Sequence, residues 1–160
     1  MGTARKPAVI AAVALALLII FQVLLAAGLP MGRAAWGGEH RVLPANLRIG
    51  SLLAAVILGF AVFVVLASAG LIATGSRSRA VRVIAWIFAG YFCLNILMNL
   101  VSRSPPERYI MTPVATVVAV CFILVARSQT AGGHPGDEGR GNAGAGSDSD
   151  NGTGTNTGSN

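Results

Sequence analysis

Charged residues are scarce in this sequence. Only 11% of the 160 residues are Asp, Glu, Lys or Arg, whereas a soluble domain of this length carries about a quarter. Hydrophobic residues account for 54%, and the mean hydropathy is +0.68. The composition therefore argues against a soluble globular domain and favours a single membrane-embedded domain of modest size.

Cysteine and histidine are also rare, at two residues each. Cys93 and Cys121 both lie inside apolar segments without a CxxC spacing, and no second His or Cys stands at a ligand spacing from His40. The sequence contains no Walker loop, no HExxH motif and no nucleophile–base pair. We therefore expect no catalytic residues, no metal and no cofactor, and we predict a protein that is not an enzyme.

Basic residues outnumber acidic ones, but unevenly along the chain. Residues 1–127 contain eleven Lys or Arg against Glu39 and Glu107, a net charge of +9. Residues 128–160 contain Arg140 against four acidic residues, a net charge of −3. The cations punctuate apolar segments and do not form one stripe that would release counterions from nucleic-acid phosphates. Membrane lipids, and not nucleic acid, are therefore the expected partners.

What the sequence does have is four long apolar runs. Each is about 20 residues long, enough to cross the ~30 Å hydrocarbon core as a helix. Lipid offers no hydrogen bonds to a free backbone, and the runs do not alternate in polarity as barrel strands do, so each is predicted to be helical. The predicted helices span residues 8–29, 51–73, 81–101 and 110–126.

The predicted fold is all-α, a four-helix transmembrane bundle with up-down connectivity and a disordered C-terminal tail. The membrane domain covers residues 1–127, and small residues at a spacing of four mark its packing faces, most specifically Ser51, Ala55 and Gly59. Residues 128–160 are rich in Gly, Ser, Asn and Asp. Such a segment buries too little apolar surface to offset its ordering entropy.

Topology follows from the cations that flank the runs. The side shared by the N-terminus, the 74–80 loop and the tail holds six Lys or Arg, against five on the other side. We therefore predict a multi-pass protein of the bacterial cytoplasmic membrane with both termini in the cytoplasm. A signal peptide is the alternative for the first run, but its length exceeds the roughly 7–15 apolar residues typical of such segments.

Polar residues gather at one end of the predicted bundle. Tyr91, Asn95 and Asn99 are spaced by one helical turn and form a stripe that Arg103 continues past the membrane. Gln22 lies near the end of the first helix, on the same side of the membrane. Such residues are costly in lipid, so they are expected to form interhelical hydrogen bonds or to be the floor of a pocket.

The two loops on that side add further polar side chains. Their arginines are suited to clamping a phosphate or to resting among lipid headgroups. For Trp36 an interfacial anchor is the simpler interpretation, and for His40 a solvated loop residue. Glu107 and Arg108 also stand where they would cap the start of the fourth helix. The candidate binding residues are Gln22, Arg33, Trp36, His40, Arg41, Arg48, Tyr91, Asn95, Asn99, Arg103, Glu107 and Arg108.

The segments "AAGLPMGRAAWGGEHRVLPANLRIGS" and "NLVSRSPPERYIMTPVA" resemble a family of small bacterial four-helix integral membrane proteins. The resemblance covers most of residues 15–127 and implies the four-helix architecture, but the family has no assigned activity. The residues that match are Gly28, Pro30 and Gly32 in the first segment and Asn99, Ser102, Ser104, Glu107 and Arg108 in the second.

Three functional hypotheses follow from the sequence. The first is a non-enzymatic membrane protein whose extracytoplasmic face binds a lipid headgroup, an anion or a partner protein. The second is a transporter or channel subunit, which would form a homo-oligomer because four helices enclose little space. The third is an enzyme on lipid substrates that uses His40 or Glu107 as acid or base, and the weak catalytic signal ranks it last.

Overall fold

The computed structural model describes residues 4–72 and 78–130. Within these ranges the chain forms four long helices, and the predicted all-α four-helix fold is confirmed. Each of the four helices is long and apolar enough to cross a membrane, the fourth when it is counted together with the turn that precedes it. This indicates a multi-pass membrane protein. Of the predicted tail, all but the first three residues lie outside the described ranges. The helices are α1 (Arg5–Ala26), α2 (Ala45–Ser68), α3 (Arg79–Val101) and α4 (Thr112–Thr130).

Glycines end α1 and α2 earlier than the apolar runs predict. Gly28 and Gly70 have φ of 90° and 69°, a conformation that Gly adopts without steric cost. In α1, the N–H of Gly28 donates to the carbonyl of Leu25 and that of Leu29 to Leu24. The same pair of bonds follows α2, and this arrangement satisfies carbonyls that the helix end leaves free. Leu29 and Leu71 are therefore apolar without being helical.

The second helix also begins six residues earlier than predicted, at Ala45 rather than Ser51. Pro44 precedes it with an extended backbone (φ −66°, ψ 161°), as is common at a helix start. Arg48 lies inside this first part, and its Nε donates to the carbonyl oxygen of Ala26 at 2.7 Å. A cation therefore sits on the C-terminal end of α1, where the helix dipole favours it.

A polar side chain caps the start of α3, and a π-helical turn connects α3 to α4. The Ser78 hydroxyl accepts a hydrogen bond from the N–H of Val81 at 3.2 Å and caps α3. After α3, a π-helical turn at Glu107–Met111 leads directly into α4. In this turn the N–H of Thr112 donates to the carbonyl of Glu107. The bond spans five residues, whereas α-helical bonds span four. Such turns occur frequently at functional sites.

Two hairpins, α1/α2 and α3/α4, make up the bundle, and α1 packs against α4 to join them. The core contains a cluster of three aromatic rings, in which Phe122 lies 5.6 Å from both Phe88 and Phe92 between centroids. Ser51 and Ala55 are buried as their spacing predicts, but Gly59 is exposed and has open space beside it. The small-residue stripe on α2 therefore does not continue to Gly59.

Candidate functional site

A cavity of about 630 Å³ lies at the end of the bundle where α1 ends and α2 begins. All four helices contribute to it, together with the loop between α1 and α2 and the π-helical turn. Most of its lining is apolar. The lining residues are Leu18, Phe21, Gln22, Ala34, Ala35, Trp36, Gly37, Leu47, Ala54, Leu58, Tyr91, Phe92, Asn95, Met98, Asn99, Val101, Ser102, Glu107, Met111 and Ala115.

Three side-chain amides lie in the wall of this cavity. Asn99 Nδ2 donates to Asn95 Oδ1 at 3.1 Å, one turn apart on α3. Gln22 faces the same space from α1, and its Oε1 is buried. Within the described residues the Gln22 amide makes no hydrogen bond. A buried polar group without a partner is costly, so the cavity offers an unmet hydrogen-bonding demand.

The mouth of the cavity is marked by lining residues that remain exposed. Met98 is 66% exposed and Val101 is 80% exposed, both on α3. Tyr91, about two helical turns before Met98, is 40% exposed and lines the same space. These residues belong to a helix that is long and apolar enough to span a membrane.

A short loop segment, residues 32–38, lines the cavity at this end of the bundle, and we name it the strap. It consists of two 3₁₀ turns, Gly32–Ala34 and Trp36–Gly38. Trp36 has φ of 56°, a left-handed conformation that is uncommon for a bulky residue. Its Nε1 donates to the buried hydroxyl of Ser51 at 3.0 Å. Its ring lies so close to Gly50 that an added Cβ there would be 2.9 Å away.

Glu107 fastens the strap from the opposite side. It is only 5% exposed, and its Oε1 accepts a hydrogen bond from the N–H of Gly37 at 2.8 Å. Its Oε2 accepts from the hydroxyl of Ser102. The hydroxyl of Ser104 donates to the carbonyl of Arg33, which adds a second connection to the strap. The α3–α4 connection thus holds the α1–α2 loop in place.

The arginines of this face lie outside the cavity lining. Arg48 binds the end of α1, and Arg108 Nη2 donates to the carbonyl of Ser102 at 2.9 Å. Arg33, Arg41 and Arg103 are exposed on the membrane face. The structure therefore separates a cationic surface from a cavity whose described lining contains no basic residue.

Half of the twelve predicted site residues line the cavity and half do not. The stripe on α3 and Gln22 share one space, as the helical spacing and the common membrane side predict. The residues in the lining are Gln22, Trp36, Tyr91, Asn95, Asn99 and Glu107, and those outside it are Arg33, His40, Arg41, Arg48, Arg103 and Arg108.

The predicted site does not include three residues that each form a hydrogen bond with one of its members: Gly37, Ser51 and Ser102. The Gly37–Gly38 pair is the one local signal, because adjacent glycines often mark left-handed turns. Ser51 stands at the predicted start of a helix and gives no sign that a tryptophan of the preceding loop binds it. Its role depends on tertiary contact alone.

Comparisons with known proteins returned no match: no family model, no curated protein and no solved structure is similar to this chain. The cavity, its chemistry and its position among four apolar helices are therefore the basis for a functional proposal.

Proposed function

We propose that this membrane protein is a non-enzymatic binding protein that takes a membrane-soluble amphiphile into the cavity between its helices. The observation that carries the proposal is a largely apolar cavity with amides in its wall and exposed lining residues on α3, a helix apolar enough to span a membrane. Its volume of about 630 Å³ falls within the ~300–1,000 Å³ of small-molecule pockets. Apolar walls with a few convergent polar groups are also typical of such pockets.

The position of the cavity favours a ligand oriented like a lipid. From Tyr91 to Val101 the cavity runs along α3 for about 15 Å, at ~1.5 Å per residue. This is roughly half of the ~30 Å hydrocarbon core. A polar head near the strap and an apolar tail toward Leu18 and Leu58 would match the polarity of the lining.

The amides favour a head group that forms hydrogen bonds. Gln22 has a buried acceptor without a donor, so a hydroxyl, amide or amine would satisfy it. The amide nitrogen of Asn95 and the carbonyl oxygen of Asn99 are not used by their mutual hydrogen bond. The Asn95–Asn99 pair on α3 and the single amide of Gln22 on α1 thus offer both donors and acceptors to one ligand.

An anion inside the cavity is less well supported than one at the surface. The exposed arginines lie on the membrane face, where they would rest among lipid phosphates. The lining itself contains Glu107 and no arginine among the described residues. The anion or headgroup contact that the sequence predicts for Arg33, Arg41 and Arg103 therefore belongs to the outer surface of the protein.

The membrane and the orientation remain part of the proposal. Six flanking cations against five favour a bacterial cytoplasmic membrane protein with cytoplasmic termini, so the cavity would lie in the outer leaflet. Fusions of a cytoplasmic and a periplasmic reporter to the tail and into the 38–42 loop test this directly. Activity of a periplasmic reporter fused to the tail would show that the orientation is the opposite of the one proposed.

The cavity also supports binding better than passage through one protomer. Its lining ends near the middle of the helices, at Leu18 on α1 and Leu58 on α2. A pathway through a single copy would need polar residues that continue to the other membrane face. This observation favours the binding hypothesis over the predicted transporter or channel subunit.

The binding test uses tryptophan fluorescence. The chain has two tryptophans, and replacement of Trp86, which does not line the cavity, leaves Trp36 as the only reporter. The W86F protein is reconstituted in phosphatidylcholine nanodiscs and titrated with a brominated single-chain alcohol. In a second protein, Ala54→Phe fills the cavity. Its matched control is Ala16→Phe at an exposed position outside the lining.

We expect saturable quenching of Trp36 in W86F and in W86F/A16F, and its loss in W86F/A54F. The reason is that Ala54 lines the cavity whereas Ala16 faces lipid, so only the former substitution removes ligand space. Equal quenching in the A54F and A16F proteins would mean that the probe reaches Trp36 from bulk lipid, and the proposed function would be wrong.

A further inference from the structure

We infer that the preferred ligand of this cavity is a lipophilic organic cation, and that Glu107 is its counter-charge. The inference rests on the proposed function and narrows it to one substrate class. The observations behind it are the burial of Glu107, the absence of an ion pair to it among the described residues, and the aromatic side chains that surround the same space.

Glu107 is the one acidic or basic residue among the described lining of the cavity. It is 5% exposed, and within the described part of the chain no basic group forms an ion pair with it. A buried charge is costly unless an opposite charge stands beside it. A cation that enters the cavity would supply the missing partner.

The hydrogen bonds of Glu107 leave room for such a partner. Each carboxylate oxygen accepts one hydrogen bond, Oε1 from the N–H of Gly37 and Oε2 from the hydroxyl of Ser102. A carboxylate has about four acceptor positions, so roughly two remain. Both donors are neutral groups and do not cancel the negative charge. The carboxylate is thus held in place at the start of the fourth helix, and among the described residues no basic side chain pairs with it.

Aromatic rings around the cavity favour a cation as well. Phe21, Trp36, Tyr91 and Phe92 contribute to the lining from α1, the strap and α3. The faces of such rings attract cations, and most strongly those that carry little hydration. The combination of one carboxylate with four aromatic residues suits a diffuse organic cation better than a hydrated metal ion.

Two basic residues of the segments that contact Glu107, Arg33 of the strap and Arg108 of the π-helical turn, are exposed. Arg108 is exposed, and it donates to the backbone carbonyl of Ser102 and not to the carboxylate. Arg33 is exposed on the strap. These charges would oppose a cation that arrives from water. A lipophilic cation that arrives through the lateral mouth between Tyr91 and Val101 avoids them.

The test compares two probes of the same shape and opposite charge, tetraphenylphosphonium and tetraphenylborate. Glu107→Gln removes the charge with little change in volume, and its amide can still accept from Gly37 and donate to the Ser102 hydroxyl. Glu39→Gln is the matched control, because Glu39 is an exposed carboxylate of the α1–α2 loop, directly after the strap. Affinities are measured in nanodiscs. For each probe, the affinity of a variant is compared with that of the unmodified protein, so that the partitioning of the probe into the membrane cancels.

We expect E107Q to weaken tetraphenylphosphonium binding by about tenfold or more and not to weaken tetraphenylborate binding. E39Q should leave both affinities within about twofold. Unchanged phosphonium affinity in E107Q, or an equal loss for both probes, would overturn the inference. A second variant, Met111→Lys against Met111→Gln, places a cation in the lining and should lower phosphonium affinity only in the Lys form.

This outcome can be told apart from failure of the proposed function. If the brominated alcohol binds in an A54F-sensitive manner while neither charged probe depends on Glu107, the cavity binds amphiphiles and the charge preference is wrong. If no probe is sensitive to A54F, the cavity is not a binding site and both proposals fail.

Discussion

The backbone N–H of Gly37 donates to the carboxylate of Glu107 at 2.8 Å, although the two residues are 70 positions apart in the chain. This bond joins the loop between the first two helices to the connection between the last two. Both connections lie on the same membrane face, so the bond closes one end of the bundle. Its loss would loosen the strap and the π-helical turn together.

The first prediction concerns this bond. Glu107→Ala removes the buried carboxylate that accepts from the N–H of Gly37 and the hydroxyl of Ser102, and should lower the free energy of unfolding in SDS titrations by about 1–3 kcal/mol. Glu107→Gln keeps an acceptor for Gly37 and should cost less than the alanine variant. Glu39→Ala is the exposed control and should change stability by no more than about 0.5 kcal/mol. Equal stabilities for the Ala variants at 39 and 107 would show that the bond contributes nothing.

The second prediction compares the two neighbouring glycines of the strap. Gly37 and Gly38 have φ of 83° and 75°, so alanine is strained at either position, by about 1–2 kcal/mol. A Cβ at Gly37 meets open space, whereas at Gly38 it would lie 2.7 Å from Cβ of Ser104. Gly38→Ala should therefore destabilise the protein by about 1–3 kcal/mol more than Gly37→Ala. SDS titration of both variants measures the difference, and a larger loss at Gly37 would contradict the close approach of the strap to Ser104.

The third prediction concerns the hydrogen bond from the half-exposed Trp36 to Ser51, whose side chain is fully buried. A double-mutant cycle of Trp36→Phe and Ser51→Ala should give a coupling free energy of about 0.5–1.5 kcal/mol. The same cycle with Trp86→Phe, at a residue that does not contact Ser51, should give a value near zero. Equal coupling free energies in the two cycles would mean that packing alone holds the indole of Trp36 in place.

The fourth prediction separates structural from surface arginines. Arg48 donates to the end of α1, and its Cζ would lie 3.0 Å from a Cβ at Gly28. Arg48→Gln should lower the free energy of unfolding by about 1.5–3 kcal/mol, because a charged hydrogen bond is lost. Arg41→Gln, at an exposed site, should change it by less than about 0.5 kcal/mol. If both variants behave alike in SDS titration, Arg48 serves the membrane surface and not the helix end.

Much of the architecture can be predicted from the sequence because lipid imposes one strong rule. A backbone in hydrocarbon must satisfy its own hydrogen bonds, so four apolar runs of sufficient length predict four helices. Helix ends are less predictable from hydropathy, since Leu29 and Leu71 look like membrane residues. Gly28 and Gly70, which end the helices, give the better local signal.

The candidate site is predictable where helical periodicity determines it. Asn95 and Asn99 are four residues apart, and their hydrogen bond follows from that spacing. The strap is not predictable in this way, because its position depends on contacts with Ser51 and Glu107, which are distant in sequence. For the same reason the sequence does not reveal that Arg48 binds the end of α1.

Entry of the proposed ligand beside the exposed Met98 and Val101 would also determine which concentration the cavity responds to. A ligand that enters from lipid is governed by its mole fraction in one leaflet and not by its concentration in water. At fixed total ligand, added inert lipid should lower occupancy, whereas a larger aqueous volume should change it little for a strongly partitioning compound. The protein would therefore report on the composition of the membrane in which it lies.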